Sequence, residues 1–233
     1  MQIEVLAEPQ ALAERGAELI AQAAREAIDQ RGQFLFAGSG GTVPWLMFDA
    51  LAKQTIPWDK VHLFQVDERV APDDDPDRNF KHLRETLLER VSLRTDHVHP
   101  MPVTEQDLTA AAGHYARTLQ RVAGPTPVLD LVHLGLGPDG HTASLVPGDP
   151  VLGVTDRDVA ITGIYHGRRR MTLTYPILNR AAKILWLVSG SSKADPVARL
   201  CAGDQSIPAG RIERECAVLL ADPAAVAKLD RSK

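Results

Sequence analysis

Positive charge is not in excess in this sequence. The chain holds 26 Lys and Arg against 30 Asp and Glu, a formal net charge of −4 and a pI near 6.1. Nucleic acids and anionic membrane surfaces recruit proteins through a basic surplus, so neither is an expected partner. Cysteine is scarce as well, with only Cys201 and Cys216 and no Cys-x-x-Cys spacing. That excludes a disulfide framework and makes a reducing cytoplasm the expected setting. No apolar run reaches the roughly 18 residues that a membrane helix needs. Met1 to Val5 lacks the basic-then-apolar order of a signal peptide. What remains is ordinary globular material, 44% hydrophobic and 24% charged. It is enough for a full core. With no repeat, low-complexity segment or linker in sight, residues 1–233 are expected to form a single α/β domain.

The chain alternates short apolar runs with amphipathic stretches. Strands are predicted at Ile3–Val5, Phe34–Ala37, Val61–Val66, Val128–Leu134, Asp158–Thr162, Met171–Thr174, Ile184–Ser189 and Ala217–Leu220. Helices are predicted at Gln10–Gln30 (closed by Arg31-Gly32), Trp45–Leu51, Arg78–Arg90, Glu105–Arg121, Asp195–Cys201 and Pro223–Leu229. Alternation of this kind gives a doubly wound, mostly parallel sheet with helices on both faces, a Rossmann-like architecture. Polar turns follow four strands, at Gly38, Asp67, Gly135 and Gly190. A parallel sheet sets them along one edge, where ligands bind.

The stretch around which the others group is Leu129 to Pro150. Its strand runs into Gly135-Leu136-Gly137-Pro138-Asp139-Gly140, then His141, Thr142 and Ser144. Gly135, Gly137 and Gly140 spell the dinucleotide fingerprint G-x-G-x-x-G. That motif requires a helix opening at its third glycine, and Pro147, Gly148 and Pro150 stop one almost at once. A nicotinamide cofactor is therefore not expected. A histidine beside an Asp and hydroxyls is a candidate reactive centre.

The other turns add binding chemistry. Gly38-Ser39-Gly40-Gly41-Thr42 stands between a strand and a helix, the arrangement that cradles an anion on backbone N–H groups. The lysine of a P-loop is missing. The simpler alternative is a tight connection with Thr42 as helix cap. Asp67-Glu68-Arg69 puts three charges at the same edge. His166-Gly167-Arg168-Arg169-Arg170 is a basic knot in an acidic protein, suited to a small anionic ligand. Gly190-Ser191-Ser192-Lys193 ends another strand in hydroxyls and a cation. Asp73-Asp74-Asp75 reads as a solvated loop and His97-x-His99 as structural, so no metal site is expected.

These blocks resemble the 6-phosphogluconolactonase family, within the wider glucosamine-6-phosphate isomerase/lactonase superfamily. The resemblance is carried by Ser39–Pro44, Asp67–Arg69, Gly135–Ser144, Arg170–Thr174, Gly190–Lys193 and Pro208-Ala209, in the family's order across nearly the whole chain. It implies hydrolysis of 6-phospho-D-glucono-1,5-lactone in the oxidative pentose phosphate pathway, with no cofactor and no obligatory metal. It implies His141 as general base, oriented by Asp67 or Asp139. Arg69 and backbone N–H groups become candidates for the oxyanion. The phosphate is assigned to Gly40, Gly41 and Thr42 with Arg170 and Lys193; Arg168 and Arg169 are set aside because Arg170 matches the family's Arg before Thr-Leu-Thr. The partner is a small sugar-phosphate lactone, and a monomer is the simplest oligomeric expectation.

Two other functions are compatible with the superfamily. Amino-sugar phosphate isomerases/deaminases continue the Gly-His turn with Phe-Asn-Glu-Pro, whose Glu moves protons. Ser144-Leu145-Val146-Pro147 has no carboxylate there. A non-catalytic sugar-phosphate sensor would keep the anion pocket and lose the acid/base residues, both of which stand here as Asp67 and His141. Val146 in place of Phe, and Arg78 in place of Ser before Asn79, depart from the lactonase pattern and bear on substrate fit rather than reaction class.

Overall fold

The computed structural model describes residues 1–229. Seven parallel strands make the main sheet: β1 (Gln2–Val5), β2 (Phe34–Gly38), β3 (Val61–Gln65), β5 (Val98–His99), β6 (Leu131–Leu134), β9 (Ile184–Val188) and β10 (Ala217–Ala221). Their spatial order is β1-β10-β9-β6-β2-β3-β5. Each central strand is buried on both faces, which is why it reads as a short apolar run rather than an alternating one. In β9, Ile184, Trp186 and Val188 enter one core while Leu185 and Leu187 enter the other.

Three helices cover the second core: α1 (Pro9–Arg31), α2 (Thr42–Leu51) and α3 (Asn79–Thr86). On the opposite face lie α4 (Leu108–Ala123), the short α5 (Tyr175–Leu178) and α6 (Ala194–Ala202). The expected limits of α1 hold because Pro9 opens it and Gly32, at φ 77°, closes it with an N–H to the Ile28 carbonyl at 2.8 Å. Doubly wound α/β is the observed class. Among the described residues, no helix is long and apolar enough to cross a membrane.

Several local expectations are corrected. Asp67–Arg69 is not a turn but a strand, β4. It pairs antiparallel with β8 (Arg170–Leu173), which pairs with β7 (Val159–Ile161), in a separate three-stranded sheet. The runs expected at Asp158–Thr162 and Met171–Thr174 are therefore strands outside the main sheet. Val66 joins the two sheets, donating to the Gly38 carbonyl at 3.0 Å and accepting from the Leu173 N–H at 2.8 Å. The helix expected at Arg78–Arg90 breaks where Leu87 leaves helical geometry (φ −127°), and a 3-10 turn follows. The helix expected from Glu105 starts at Leu108, because Asp107 is its cap and accepts the Thr109 and Ala110 N–H groups. Pro223–Leu229 forms successive turns rather than a helix; so short a segment is marginal as a helix on its own.

Candidate active site

The chain runs from β2 outward to β3 and β5, then returns to β6 on the other side of β2 and continues to β9 and β10. The order reverses between β2 and β6. In an open α/β sheet the crevice at such a reversal, beyond the strands' carboxyl ends, is where ligands sit. A cavity of about 320 Å³ opens there. It is of small-molecule size. The segments that follow β2, β3, β6 and β9 all reach it: Ser39 to Pro44, Asp67 and Arg69 of β4, Gly135 to Pro138 with His141, and Ser189 with Lys193.

The β2 loop brings backbone rather than charge. Gly41 is the N-cap of α2 at φ 139°, a value that only glycine adopts freely. Thr42 is the first helical residue, so the alternative of Thr42 as side-chain cap is corrected. The opening turn leaves N–H groups without intrahelical partners beside the cavity, at the positive end of the helix dipole. Gly40 lies so close to Asn79 that a Cβ would overlap its amide.

The triplet after Val66 divides its charges. Asp67, 5% exposed, accepts a 2.6 Å hydrogen bond from the Ser144 hydroxyl and stands 4.0 Å from the Arg170 guanidinium. Arg69 donates to the Asn79 side-chain oxygen and to the Asp77 carbonyl. Glu68 points elsewhere and is fully buried. It accepts the Asn79 and Phe80 N–H groups, each at 2.8 Å, and pairs with Arg78 at 3.1 Å. It thus caps α3. Arg78, the departure from the family pattern, is the buried partner of Glu68 and does not line the cavity. Val146 is also buried and absent from the lining.

After β6 the chain closes a tight loop, with Gly137 N–H on the His141 carbonyl at 2.8 Å and Gly140 N–H on the Gly137 carbonyl at 3.0 Å. No helix opens at Gly140, so the dinucleotide fingerprint is not realised. A Cβ on Gly137 would overlap the His141 ring. Asp139 Oδ1 takes both the His141 N–H at 3.1 Å and ring Nδ1 at 2.6 Å. Between the two carboxylates left open by the sequence, Asp139 is the one bonded to the imidazole. Burial raises its affinity for a proton, but the His141 contacts and the Tyr165 hydroxyl outweigh that and hold the carboxyl below its usual range. With Nδ1 engaged by Asp139, Nε2 is the ring nitrogen not held by that carboxylate.

Two cations complete the wall. Arg170 is 9% exposed, and its Nε has no hydrogen-bond partner among the described residues. Burial pulls its affinity for the proton down. Lys193, half-buried, is lowered for the same reason. Asp222 holds the Lys193 turn, accepting from the Ser189 hydroxyl at 2.6 Å and the Gly190 N–H at 2.9 Å.

Thus Gly40, Gly41, Thr42, Asp67, Arg69, His141, Arg170 and Lys193 line one cavity, and Asp139 backs His141 from beside it. Tyr165, which no motif marks, touches both Asp139 and Arg170. The Asp73–Asp75 loop is only partly solvated, because Asp75 pairs with Arg168 at 2.9 Å. That pair occupies Arg168 away from the cavity. His97 and His99 stack with His62, and among the described residues no group of three or more His, Cys, Asp or Glu is arranged to hold a metal.

The family model for glucosamine-6-phosphate isomerases/6-phosphogluconolactonase matches residues 7–220. The chain is 39% identical over 219 residues to the 6-phosphogluconolactonase of Synechocystis sp., covering 91% of each. It is 38% identical over 241 residues to that of Mycobacterium tuberculosis, covering 97% of this chain and 98% of the relative. The structure of 6-phosphogluconolactonase from Trypanosoma brucei superposes with a TM-score of 0.87 at 27% identity, covering 98% of both chains.

Proposed function

The chain belongs to the glucosamine-6-phosphate isomerase/6-phosphogluconolactonase family, its curated relatives place it on the hydrolase side, and we propose that it opens 6-phospho-D-glucono-1,5-lactone to 6-phospho-D-gluconate. The observation that carries the proposal is a single cavity with an anion cradle at one end and a carboxylate-oriented imidazole at the other. The Gly40–Thr42 amides, Arg170 and Lys193 hold the phosphate, which matches their partial and full positive charges.

His141 Nε2 takes a proton from water as the water oxygen bonds to the lactone carbonyl carbon. Asp139 holds the ring and steadies the imidazolium that forms. The carbonyl oxygen becomes an oxyanion, for which Arg69 and loop N–H groups are the donors. Collapse breaks the bond to the ring oxygen, and His141 returns its proton to that oxygen as it leaves. Asp67, engaged by Ser144 and Arg170, sets the position of Arg170 rather than that of the imidazole. A place in the oxidative pentose phosphate pathway, a cytoplasmic setting and action as a one-domain monomer belong to the same proposal.

The test is a coupled assay on freshly generated lactone, corrected for spontaneous opening. Turnover above that background is expected. No acceleration, or ammonia release from glucosamine 6-phosphate instead, overturns the proposal. Saturable sugar-phosphate binding without turnover would mark a sensor.

A further inference from the structure

Tyr165 sits on a hairpin between β7 and β8, closed by Tyr165 and Arg168 exchanging backbone hydrogen bonds at 2.9 and 3.3 Å. The hairpin is not free. Arg168 reaches the carboxylates of Asp75 and Asp77 at 2.9 and 3.4 Å, tying it to the loop that carries Arg69's partner Asp77. From this strapped position the Tyr165 hydroxyl donates to Asp139 Oδ2 at 3.2 Å, while Asp139 Oδ1 holds His141. The Tyr165 ring stands edge-on to the His141 ring, with centroids 5.5 Å apart. The Arg170 guanidinium lies over the same ring at 5.1 Å from its centroid.

We propose that Tyr165 is a positioning residue that acts through two separable parts: its hydroxyl fixes the Asp139–His141 pair, and its ring seats Arg170. This assignment rests on the role proposed for His141. The division follows from chemistry. Asp139 Oδ1 is held by the His141 N–H and imidazole, both on one oxygen, and without a donor on Oδ2 the carboxylate can still pivot about that oxygen. The hydroxyl blocks that rotation and draws charge away from Oδ1. On its polar side Arg170 has only long contacts, Asp67 at 4.0 Å and the Ser144 hydroxyl at 3.4 Å, so the aromatic face adds a second support that holds the guanidinium until an anion arrives.

The other charged groups around the pair are Lys193 after β9, Arg170 on β8, and Asp67 and Arg69 on β4. None of them donates to Asp139, which makes the hydroxyl separable from them.

Two variants test the division. Tyr165→Phe keeps the ring and removes the hydroxyl. It is expected to lower kcat by about fivefold, with KM for the phospholactone within about twofold. The acidic limb of kcat/KM moves to higher pH, because an undiluted Asp139 charge holds a proton on the imidazole more firmly. Tyr165→Ala removes both parts and additionally raises KM by about tenfold. Wild-type kcat and an unmoved acidic limb in Tyr165→Phe overturn the hydroxyl's role. A KM in Tyr165→Ala equal to that of Tyr165→Phe overturns the ring's role. His141→Asn is run alongside. If it retains activity, the failure lies with the proposed base; if it is inactive while Tyr165→Phe is normal, the failure is confined to Tyr165.

Discussion

His133 and His141 are fed by the same strand and end in opposite circumstances. His133 lies within β6, fully buried, with Nδ1 accepting the Ser39 N–H at 3.3 Å and Nε2 without a hydrogen-bond partner among the described residues. Burial pushes its affinity for a proton down to about 3. It stays neutral and serves as a fixed acceptor for the glycine loop. His141 lies past the sheet edge, half-buried, with a carboxylate on one nitrogen. The same side chain becomes a strut inside the sheet and, in the mechanism proposed above, a base beyond it. The sheet edge, more than residue type, separates structure from chemistry here.

The comparison breaks most sharply on activity. His141→Asn is expected to lower kcat by about 10²–10⁴, the usual weight of a positioned acid/base. His133→Asn, which keeps an acceptor near the Nδ1 position, stays within about threefold. Equal losses in the coupled assay would erase the distinction.

A second pair repeats the contrast. Asp67 and Glu68 are adjacent on β4, yet Asp67 faces the cavity and Glu68 the base of α3. Removing one partner of a buried ion pair costs about 3–5 kcal/mol. Glu68→Ala is therefore expected to lower the Tm by about 10 °C. Asp67→Asn should act mainly on activity. Thermal melts that rank the two the other way would reverse the assignment.

Much of this was legible before any coordinates. The main strands announce themselves as short apolar runs, and the turns at Gly38, Gly135 and Gly190 do so through glycine. Their convergence follows from parallel topology alone. What stayed hidden depended on contacts remote in sequence. β7 and β8 are legible as strands but not as part of a second sheet, because that depends on β4, only three residues long and paired with β8 about a hundred residues away. Glu68 looks like a site residue until α3 is placed beside it. The choice of Asp139 over Asp67 needed the loop closed by Gly137 and Gly140. Tyr165 is invisible because its hairpin is positioned by Arg168 and Asp75 rather than by a local motif.

At the end of the cavity proposed to hold the phosphate the expected effect is smaller. Arg170→Ala removes a charge-assisted contact, which is typically about 1.5–3 kcal/mol, or about 10–100-fold in affinity. KM should rise by that factor while kcat holds. An unchanged KM would show that the glycine loop and Lys193 suffice for the anion.

The smallest effects concern acid stability, and they set His133 against the stacked trio at the other edge of the sheet. Burial lowers His62 to about 4, helped by the charge of His97; burial lowers His99 to about 4, helped by His62. Arg94 and Arg121 act in the same direction, and Asp96 opposes them. For all three lowered histidines the unfolded chain protonates first, near pH 6.5. Their neutral forms are therefore compatible with full stability above about pH 6.5, and stability is lost as pH falls from there toward 4 for His62 and His99 and toward 3 for His133. His133, being fully buried, carries the loss over the widest pH range, at up to about 1.4 kcal/mol per pH unit. His133→Asn should flatten the fall of the urea midpoint between about pH 6.5 and 4.5. His62→Gln should flatten it less, because that ring is partly solvated at the β3–β5 edge and water screens its charge. Urea titrations across this range in both variants decide the matter, and a steeper effect from His62→Gln would mean that the sheet edge, not the buried strut, sets the protein's acid limit.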